Sequence, residues 1–344
     1  MNNWNLIGHE WAVKFLAQSV ATDRVAHAYL VTGAHGIGKT TLARALAQAL
    51  QCTRDNKPCG ECNACRQVAT NRHLDVQMIE GVPPRYNFEK DSLAPPRASD
   101  REKRALRILQ IRDMLRDVSR APFEGKHKVV ILRRFEEAEE EAANAFLKTL
   151  EEPPRYARFI LTARDATMVL PTIVSRCQIL NLRPLAISEV EEALVARGKA
   201  EKDRARLIAR LSGGRIGWAV RASADAAMLE SRVRYLDELD AVLMEGRAER
   251  IARAGELDKQ KEELPDVLDA WISWWRDVLL IQTGDGARIT NVDRENNLRN
   301  AATRFARDQI YRAIQRARET ARYLAQNVND RLAMEVLILE LPSV

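Results

Sequence analysis

The sequence predicts an α/β domain built on a parallel sheet, followed by two all-helical domains. Three observations support this prediction. Short apolar segments alternate with helical pattern in the first half of the chain, a glycine-rich loop joins one such segment to an amphipathic helix, and the strand signals fade after about residue 183. Alternation of this kind is typical of a parallel sheet flanked by helices, because a parallel crossover needs a connection long enough to hold a helix.

The length and charge of the chain limit what it can be. At 344 residues it exceeds the size that one hydrophobic core usually supports, so two or three domains are expected. The net charge of +6 comes from 54 basic and 48 acidic residues, which allows an acidic or nucleic-acid partner without requiring one. The amino terminus lacks a secretion signal pattern, and no apolar run reaches the roughly eighteen residues of a membrane span. We therefore expect a soluble, cytoplasmic protein.

The strands and domain boundaries follow from the apolar pattern. Four segments are predicted to be strands: AYLVT at 28–32, DVQMIEG at 75–81, HKVVIL at 127–132 and RFILTA at 158–163. The proline-rich, charged segment 81–104 is predicted to be an exposed insertion. The predicted domains are an α/β domain at 1–182, a small helical domain at 183–227 and a longer helical domain at 228–344.

The segment VTGAHGIGKT at 31–40 has the spacing G-x-x-x-x-G-K-T of a phosphate-binding loop. Glycines let successive N–H groups point at one phosphate, the lysine reaches the terminal phosphates and the first threonine offers a hydroxyl to Mg²⁺. The residues assigned to nucleotide binding, with ATP and Mg²⁺ as the expected ligands, are Gly33, Gly36, Gly38, Lys39, Thr40 and Thr41.

Hydrolysis would also need an acid at the end of a neighbouring strand to hold Mg²⁺. Here the strand KVVIL is followed by Arg133 and Arg134, and a guanidinium has no acceptor with which to bind a metal. Glu136 and Glu137 lie further on and could compensate only if the register shifted. The sequence therefore favours nucleotide binding without hydrolysis.

Four of the five cysteines lie in the segment 52–65: Cys52, Cys59, Cys62 and Cys65. Two overlapping C-x-x-C steps and a fourth thiol upstream can enclose one tetrahedral ion, which predicts a closed structural zinc site. An iron–sulfur cluster and unligated thiols remain alternatives, and His73 is near enough in sequence to replace Cys52.

Several motifs together resemble bacterial clamp-loader subunits of the DNA polymerase III holoenzyme. They are AHAYLVTGAHGIGKTTLARALAQALQC, the cysteine cluster, AANAFLKTLEEPP, LPTIVSRCQ, GGRIGWA and, near the carboxyl end, QNVNDRLAMEVLILELP. The resemblance covers nearly the whole chain. It implies an AAA+ fold: an ATPase-like P-loop α/β domain with a parallel sheet and a zinc-binding insertion, a small helical lid and an all-α collar domain.

The resemblance also implies a function and partners. In that family the SRC signature places an arginine in the nucleotide site of the adjacent subunit, which makes Arg176 an expected arginine finger acting in trans. Some members do not hydrolyse ATP, and the absence of the acidic pair fits that group. The implied partners are the gamma or tau ATPase subunits and a delta subunit in a five-subunit ring, and indirectly the sliding clamp and primer–template DNA.

Two other functions remain open from the residues alone. The intact phosphate-binding loop is compatible with an autonomous Mg²⁺-dependent ATPase. The basic excess, together with the cysteine cluster, is compatible with a zinc-bearing nucleic-acid module.

Smaller features have structural interpretations. Thr162 and Arg164 follow a strand where related ATPases sense the γ-phosphate, and Arg215 lies near a second sensor position. Helical spacing predicts burial of Trp271, Trp274 and Trp275, and collar packing of Leu332, Val336, Leu337 and Leu339.

Overall fold

A computed structural model describes residues 4–83, 104–260, 263–325 and 329–343. Over these residues the chain forms two compact units. The first comprises the chain up to Ala186 together with Arg215–Trp218, and the second comprises Ile187–Gly214 and the chain from Ala219 onward. Most of the predicted insertion, residues 84–103, lies outside the described residues. The division into three domains near 183 and 228 stays a prediction.

The first unit is an α/β domain. Its strands are β1 Ala28–Thr32, β2 Val76–Ile79, β3 Lys128–Leu132, β4 Ala157–Ala163 and β5 Gln178–Asn181. Its helices are α1 Glu10–Ala21, α2 Lys39–Gln51, α3 Asn63–Ala69, α4 Ile108–Val118, α5 Glu140–Glu151 and α6 Pro171–Val174, with short 3-10 turns at Phe135–Glu137 and Ala166–Met168.

The rest of the described chain is helical. The helices are α7 Ile187–Ala196, α8 Lys202–Ser212, α9 Ile216–Ala224, α10 Ala226–Met244, α11 Arg247–Lys259, α12 Leu264–Gln282, α13 Glu295–Arg304, α14 Arg307–Ala325 and α15 Asp330–Glu340. Short 3-10 turns at Gly286–Arg288 and Val292–Arg294 connect α12 to α13. Within the parts of the chain that are described, no helix combines the length and apolar character needed to cross a membrane.

The five strands form one parallel sheet in the order β2-β3-β4-β1-β5. The predicted fold class, an α/β domain built on a parallel sheet and followed by helices, is confirmed. Strand β5 was not among the four predicted strands. Only Leu180 of its four residues is buried, because β5 lies at the edge of the sheet, and such a strand shows little apolar pattern.

The central strands β1 and β3 are buried along their whole length because helices cover both faces of the sheet. Tyr29 and Val31 pack with the apolar side of α2, on one face. Leu30 points to the other face, where it joins Phe146 and Phe159. The two aromatic rings meet edge to face with centroids 4.9 Å apart. This packing fixes the carboxyl ends of β1, β3 and β4. The phosphate-binding loop follows β1, Arg133 and Arg134 follow β3, and Arg164 follows β4.

A buried carboxylate organises the loop that precedes β3. Asp75 is 1% exposed and accepts N–H hydrogen bonds from Phe123, Glu124 and Gly125 at 2.7–2.8 Å. The ammonium of Lys128 lies 3.8 Å from the same carboxylate. Burial alone would raise the pKa of Asp75, but the three N–H donors and Lys128 bring it below its ordinary value. Asp75 therefore acts as a charged anchor.

Asp75→Asn is expected to lower the free energy of unfolding by about 3 kcal/mol near neutral pH, because the loop N–H groups and Lys128 lose a charged acceptor. Since the native-state pKa is lowered, this stabilisation is present above the unfolded-state pKa of about 3.9 and is lost as pH falls through the native value. Urea unfolding at pH 7 and at progressively lower pH measures both effects. The exposed Asp113→Asn on α4 is the control, and equal losses in the two variants would contradict the anchor role.

In the second unit the predicted tryptophan cluster is buried. Trp271 and Trp275 are fully covered and Trp274 is 2% exposed. The Trp271 indole N–H donates to the Tyr235 carbonyl oxygen at 2.8 Å. Of the four residues predicted to pack in the last helix, Leu337 is buried and Leu339 is partly buried, whereas Leu332 and Val336 are 56% and 48% exposed. The last helix therefore turns part of its apolar surface outward.

Candidate nucleotide and metal sites

The phosphate-binding loop lies between β1 and α2, as its motif requires. Gly33, Gly36 and Gly38 have φ values of 141°, 74° and 111°, which side-chain-bearing residues rarely adopt. A Cβ at residue 33 would lie 2.6 Å from the Leu182 carbonyl oxygen, so glycine is also required there by contact. Helix α2 begins at Lys39, and the N–H groups of its first turn lack partners within the helix. The loop therefore has the geometry of an anion site.

The Lys39 ammonium folds back on its own loop. It donates hydrogen bonds to the carbonyl oxygens of Gly33 at 2.6 Å and Ala34 at 2.9 Å. Burial lowers the pKa of Lys39 to about 8, while the nearby Glu136 carboxylate acts in the opposite direction. The ammonium is thus held against the loop by two of the loop's own carbonyl oxygens. Thr40 and Thr41 follow in the first turn of α2.

Two residues that the sequence did not single out hold the loop from outside. His9, whose φ is 58°, places its Nε2 3.0 Å from the Ile37 carbonyl oxygen in a buried contact. The Trp218 N–H donates to the Gly36 carbonyl oxygen at 3.1 Å, and a Cβ at residue 217 would lie 2.7 Å from that same oxygen. Glycine at 217 thus permits the close approach. No motif spacing in the sequence predicts either contact, because each joins residues that are far apart in the chain.

The sensor positions have other contacts. Thr162 is 1% exposed, and its hydroxyl accepts the Arg134 N–H at 3.1 Å, which favours a structural role. The Arg164 carbonyl oxygen accepts the Gly33 N–H at 3.1 Å and so ties β4 to the loop. The Arg215 guanidinium stacks over the Trp218 ring, 5.7 Å from its centroid.

The two arginines after β3 are both paired with carboxylates. Arg133 Nη1 lies 2.6 Å from Glu80 Oε2, and Arg134 forms an ion pair with Glu137. Burial raises the pKa of Glu137, against the effect of Arg134. Neither arginine offers a metal ligand, so neither can take the place of the acid that holds Mg²⁺ in P-loop NTPases.

The four clustered thiols come together in space. The Sγ atoms of Cys52, Cys59, Cys62 and Cys65 all lie within 4.8 Å of one another. Cys52 caps the end of α2 and Cys62 caps the start of α3, so the cluster joins the two helices. The Sγ atoms of Cys59 and Cys65 are 3.9 Å apart, and four sulfurs bound to one zinc at about 2.3 Å stand roughly 3.8 Å apart. The arrangement can hold one metal ion.

Backbone N–H groups stabilise the thiolate form of the two less buried cysteines of the cluster, Cys59 and Cys62. The N–H groups of Cys62 and Cys65 point at the Sγ atoms of Cys59 and Cys62 at 3.3 and 3.4 Å. Burial alone would raise the pKa of the Cys62 thiol, but N–H groups lower it to about 6. For the Cys65 thiol the effect of burial is the larger one, and its pKa is raised. His73 is not a member of the cluster, since its Nδ1 accepts the Asp75 N–H at 3.1 Å. Four sulfur donors with no further ligand fit a closed structural site.

Arg176 lies between α6 and β5, near the surface of the first unit. Its guanidinium donates to Glu151 Oε1 at 2.5 Å and to the Thr172 carbonyl oxygen at 2.7 Å. The side chain is 32% exposed. The carboxylate and the carbonyl together hold the guanidinium in a defined orientation. The contact with Glu151 could not be predicted from the sequence, because the two residues are 25 positions apart.

Strand register separates Arg176 from the phosphate-binding loop of its own chain. Strands β1 and β5 are parallel, with Tyr29 opposite Gln178. Arg176 precedes β5 and so lies at the amino-terminal edge of the sheet, whereas Gly33 follows β1 at the carboxyl-terminal edge. The four residue-to-residue steps from Tyr29 to Gly33 alone span roughly 13 Å. Arg176 and the phosphate-binding loop of its own chain therefore lie at opposite edges of the sheet.

The chain matches two family models. Residues 8–186 match the model described as DNA polymerase III, delta subunit, and residues 227–342 match the model of its C-terminal part. The first match alone covers more than half of the 344 residues.

Two relatives in sequence agree with these matches. DNA polymerase III subunit delta' of Bacillus subtilis is 27% identical over 334 residues, which covers 96% of this chain and 94% of that protein. DNA polymerase III subunit tau of Escherichia coli is 32% identical over 192 residues, which covers 55% of this chain and 27% of that protein. A Thermotoga maritima gamma-subunit-related structure aligns over 95% of this chain and 99% of that one, with 16% identity and a TM-score of 0.37. The chain belongs to the DNA polymerase III delta-subunit family, and it is a clamp-loader subunit of DNA polymerase III.

Proposed function

We propose that the chain fills the delta-prime position of its clamp loader, in the bacterial cytoplasm. There it completes the ATP site of a neighbouring gamma- or tau-type subunit by supplying Arg176 and helps load the sliding clamp onto primed DNA. The observation that carries this proposal is the position of Arg176 at the sheet edge opposite its own phosphate-binding loop. This position is far from a nucleotide in the loop of the same chain, and it supports contact with a nucleotide held by another chain.

The chemistry proposed for Arg176 is stabilisation of charge in phosphoryl transfer. As the terminal phosphate separates, negative charge builds on its oxygens, and a positioned guanidinium stabilises that charge most when it needs no rearrangement. Glu151 and the Thr172 carbonyl group provide such positioning, since both accept hydrogen bonds from the Arg176 guanidinium. The reaction itself belongs to the neighbouring subunit.

The phosphate-binding loop of this chain is proposed to hold ATP without turning it over. Gly33, Gly36 and Gly38 shape the loop, Lys39 faces it, and Thr40 and Thr41 follow in the first turn of α2. The arginines after β3 speak against an autonomous ATPase because they replace the residues that hold Mg²⁺ and orient water. The cysteine cluster is proposed to bind one structural Zn²⁺.

The test is reconstitution with the other subunits of the same organism. Gamma- or tau-type and delta subunits, assembled with and without this chain, are assayed for clamp- and DNA-stimulated ATP turnover and for clamp loading on primed DNA. We expect both activities to require this chain, and we expect the chain by itself to show no steady turnover. Turnover by the isolated chain that Lys39→Ala abolishes would contradict the proposal and favour an autonomous ATPase. Full loading activity without the chain would contradict it as well.

A further inference from the structure

A carboxylate reaches the phosphate-binding loop by a route that the sequence pattern did not predict. Arg134 adopts a left-handed backbone with φ 53°, and its N–H donates to the Thr162 hydroxyl at 3.1 Å. The chain then makes the 3-10 turn Phe135–Glu137. Phe135 is 2% exposed and packs 6.1 Å from the Phe146 ring, so the turn is anchored in the core. Glu136 is the middle residue of this fixed turn.

Hydrogen bonds connect Glu136 to the loop. Glu136 Oε1 accepts the Arg164 N–H at 3.3 Å, and the Arg164 carbonyl oxygen accepts the Gly33 N–H at 3.1 Å. The Gly33 carbonyl oxygen in turn accepts a hydrogen bond from the Lys39 ammonium. The charge of Glu136 also acts on Lys39 and raises its pKa against the effect of burial. Glu136 thus lies close to the group that would meet a terminal phosphate.

The second oxygen of this carboxylate is left without a partner. Glu136 Oε2 is buried and has no hydrogen-bond partner among the described residues. A buried carboxylate oxygen that makes no bond is costly, and such groups in native proteins call for a ligand, an ion or a water molecule. Its neighbours after β3 are already used: Arg133 pairs with Glu80, and Glu137 pairs with Arg134.

We propose that Glu136 takes the place of the missing strand-end acids and, through Oε2, contributes a carboxylate oxygen to the Mg²⁺ that accompanies a nucleoside triphosphate in this loop. This inference rests on the proposed nucleotide binding. The donors fit the ion, because Mg²⁺ prefers oxygen ligands and is commonly held by one or two carboxylates with substrate phosphates. Bound Mg²⁺ would neutralise phosphate charge, which would otherwise face the Glu136 carboxylate.

A different role for Glu136 makes a different prediction. If it were only the counter-ion of Lys39, replacing it would strengthen triphosphate binding equally with and without Mg²⁺, since one negative charge would be removed in both conditions. A ligand of the metal changes the dependence on Mg²⁺ itself. The difference between the two conditions therefore separates the two roles.

The experiment measures the affinity of the isolated full-length chain for AMP-PNP by calorimetry, once with excess Mg²⁺ and once with EDTA. We expect wild type to bind more tightly with Mg²⁺ by about 10-fold or more, and Glu136→Gln to lose most of this ratio through weaker binding in Mg²⁺ alone. Glu136→Asp, which keeps a carboxylate, is expected to retain more of the ratio. Glu140→Gln, in the first turn of α5, is the matched control and is expected to behave as wild type.

An unchanged ratio in Glu136→Gln, or an equal change in both conditions, would overturn the inference. So would a wild-type affinity that does not depend on Mg²⁺, or no binding of AMP-PNP in either condition. None of these results affects the proposed role of Arg176, because that role is tested by turnover at a neighbour's site in the reconstituted complex. The two proposals can therefore fail separately.

Discussion

Arg176→Ala is expected to reduce ATP turnover at the adjoining site of the reconstituted clamp loader by about 10³-fold. The residue precedes β5 at the sheet edge opposite its own loop, and its guanidinium is held by Glu151 and the Thr172 carbonyl group. Removing it takes away charge stabilisation in the transition state without emptying the core, so assembly of the complex should be unchanged. Steady-state turnover with clamp and primed DNA, together with gel filtration of the complex, measures both properties.

Three variants make this result specific. Arg176→Lys keeps the charge but loses the planar fork, so it should recover only part of the activity. Lys39→Ala should change turnover little if this chain does not hydrolyse ATP. Arg299→Ala removes an exposed arginine that pairs with Glu295 on α13, and it should behave as wild type. A large loss with Lys39→Ala and none with Arg176→Ala would mean that the loop of this chain performs the reaction.

Cys65→Ser is expected to abolish metal binding and to destabilise the first unit. Wild type should contain one zinc ion per chain by elemental analysis, and the variant should contain none. Cys65 is fully buried, and the cluster joins the end of α2 to the start of α3. Metal binding to a structural site contributes directly to folding, by about 10 kcal/mol or more in isolated zinc-finger peptides. Only part of that free energy is expected to be lost in Cys65→Ser, because the sheet and its core also stabilise α2.

The control is Cys177→Ser. Cys177 lies outside the cluster, and burial raises the pKa of its thiol to about 12, so it is not expected to bind metal. Thermal unfolding of wild type after chelation should reproduce the Cys65→Ser midpoint, whereas Cys177→Ser should keep its zinc. Iron with visible absorbance in wild type would favour the iron–sulfur alternative. A metal-free wild type that unfolds at the same temperature as Cys65→Ser would rule out a structural metal.

The sequence by itself determined the features whose residues lie close together in the chain. The spacing from Gly33 to Thr40 predicts both the loop and the start of α2 at Lys39. The two C-x-x-C steps bring three thiols together within seven residues, and Cys52 needs only the end of α2 to join them. Helical periodicity likewise placed the three tryptophans of α12 in the core. Local geometry settles such contacts whatever the rest of the fold does.

The tertiary structure alone decided which distant groups meet. The acidic residues after β3 were visible in the sequence, but the approach of Glu136 to the loop depends on a left-handed turn at Arg134 and on the register of β3 with β4. In the same way, the position of Arg176 at the sheet edge opposite its own phosphate-binding loop depends on β5 lying parallel beside β1. Strand order and register arise from packing of the whole core, so no short spacing carries them.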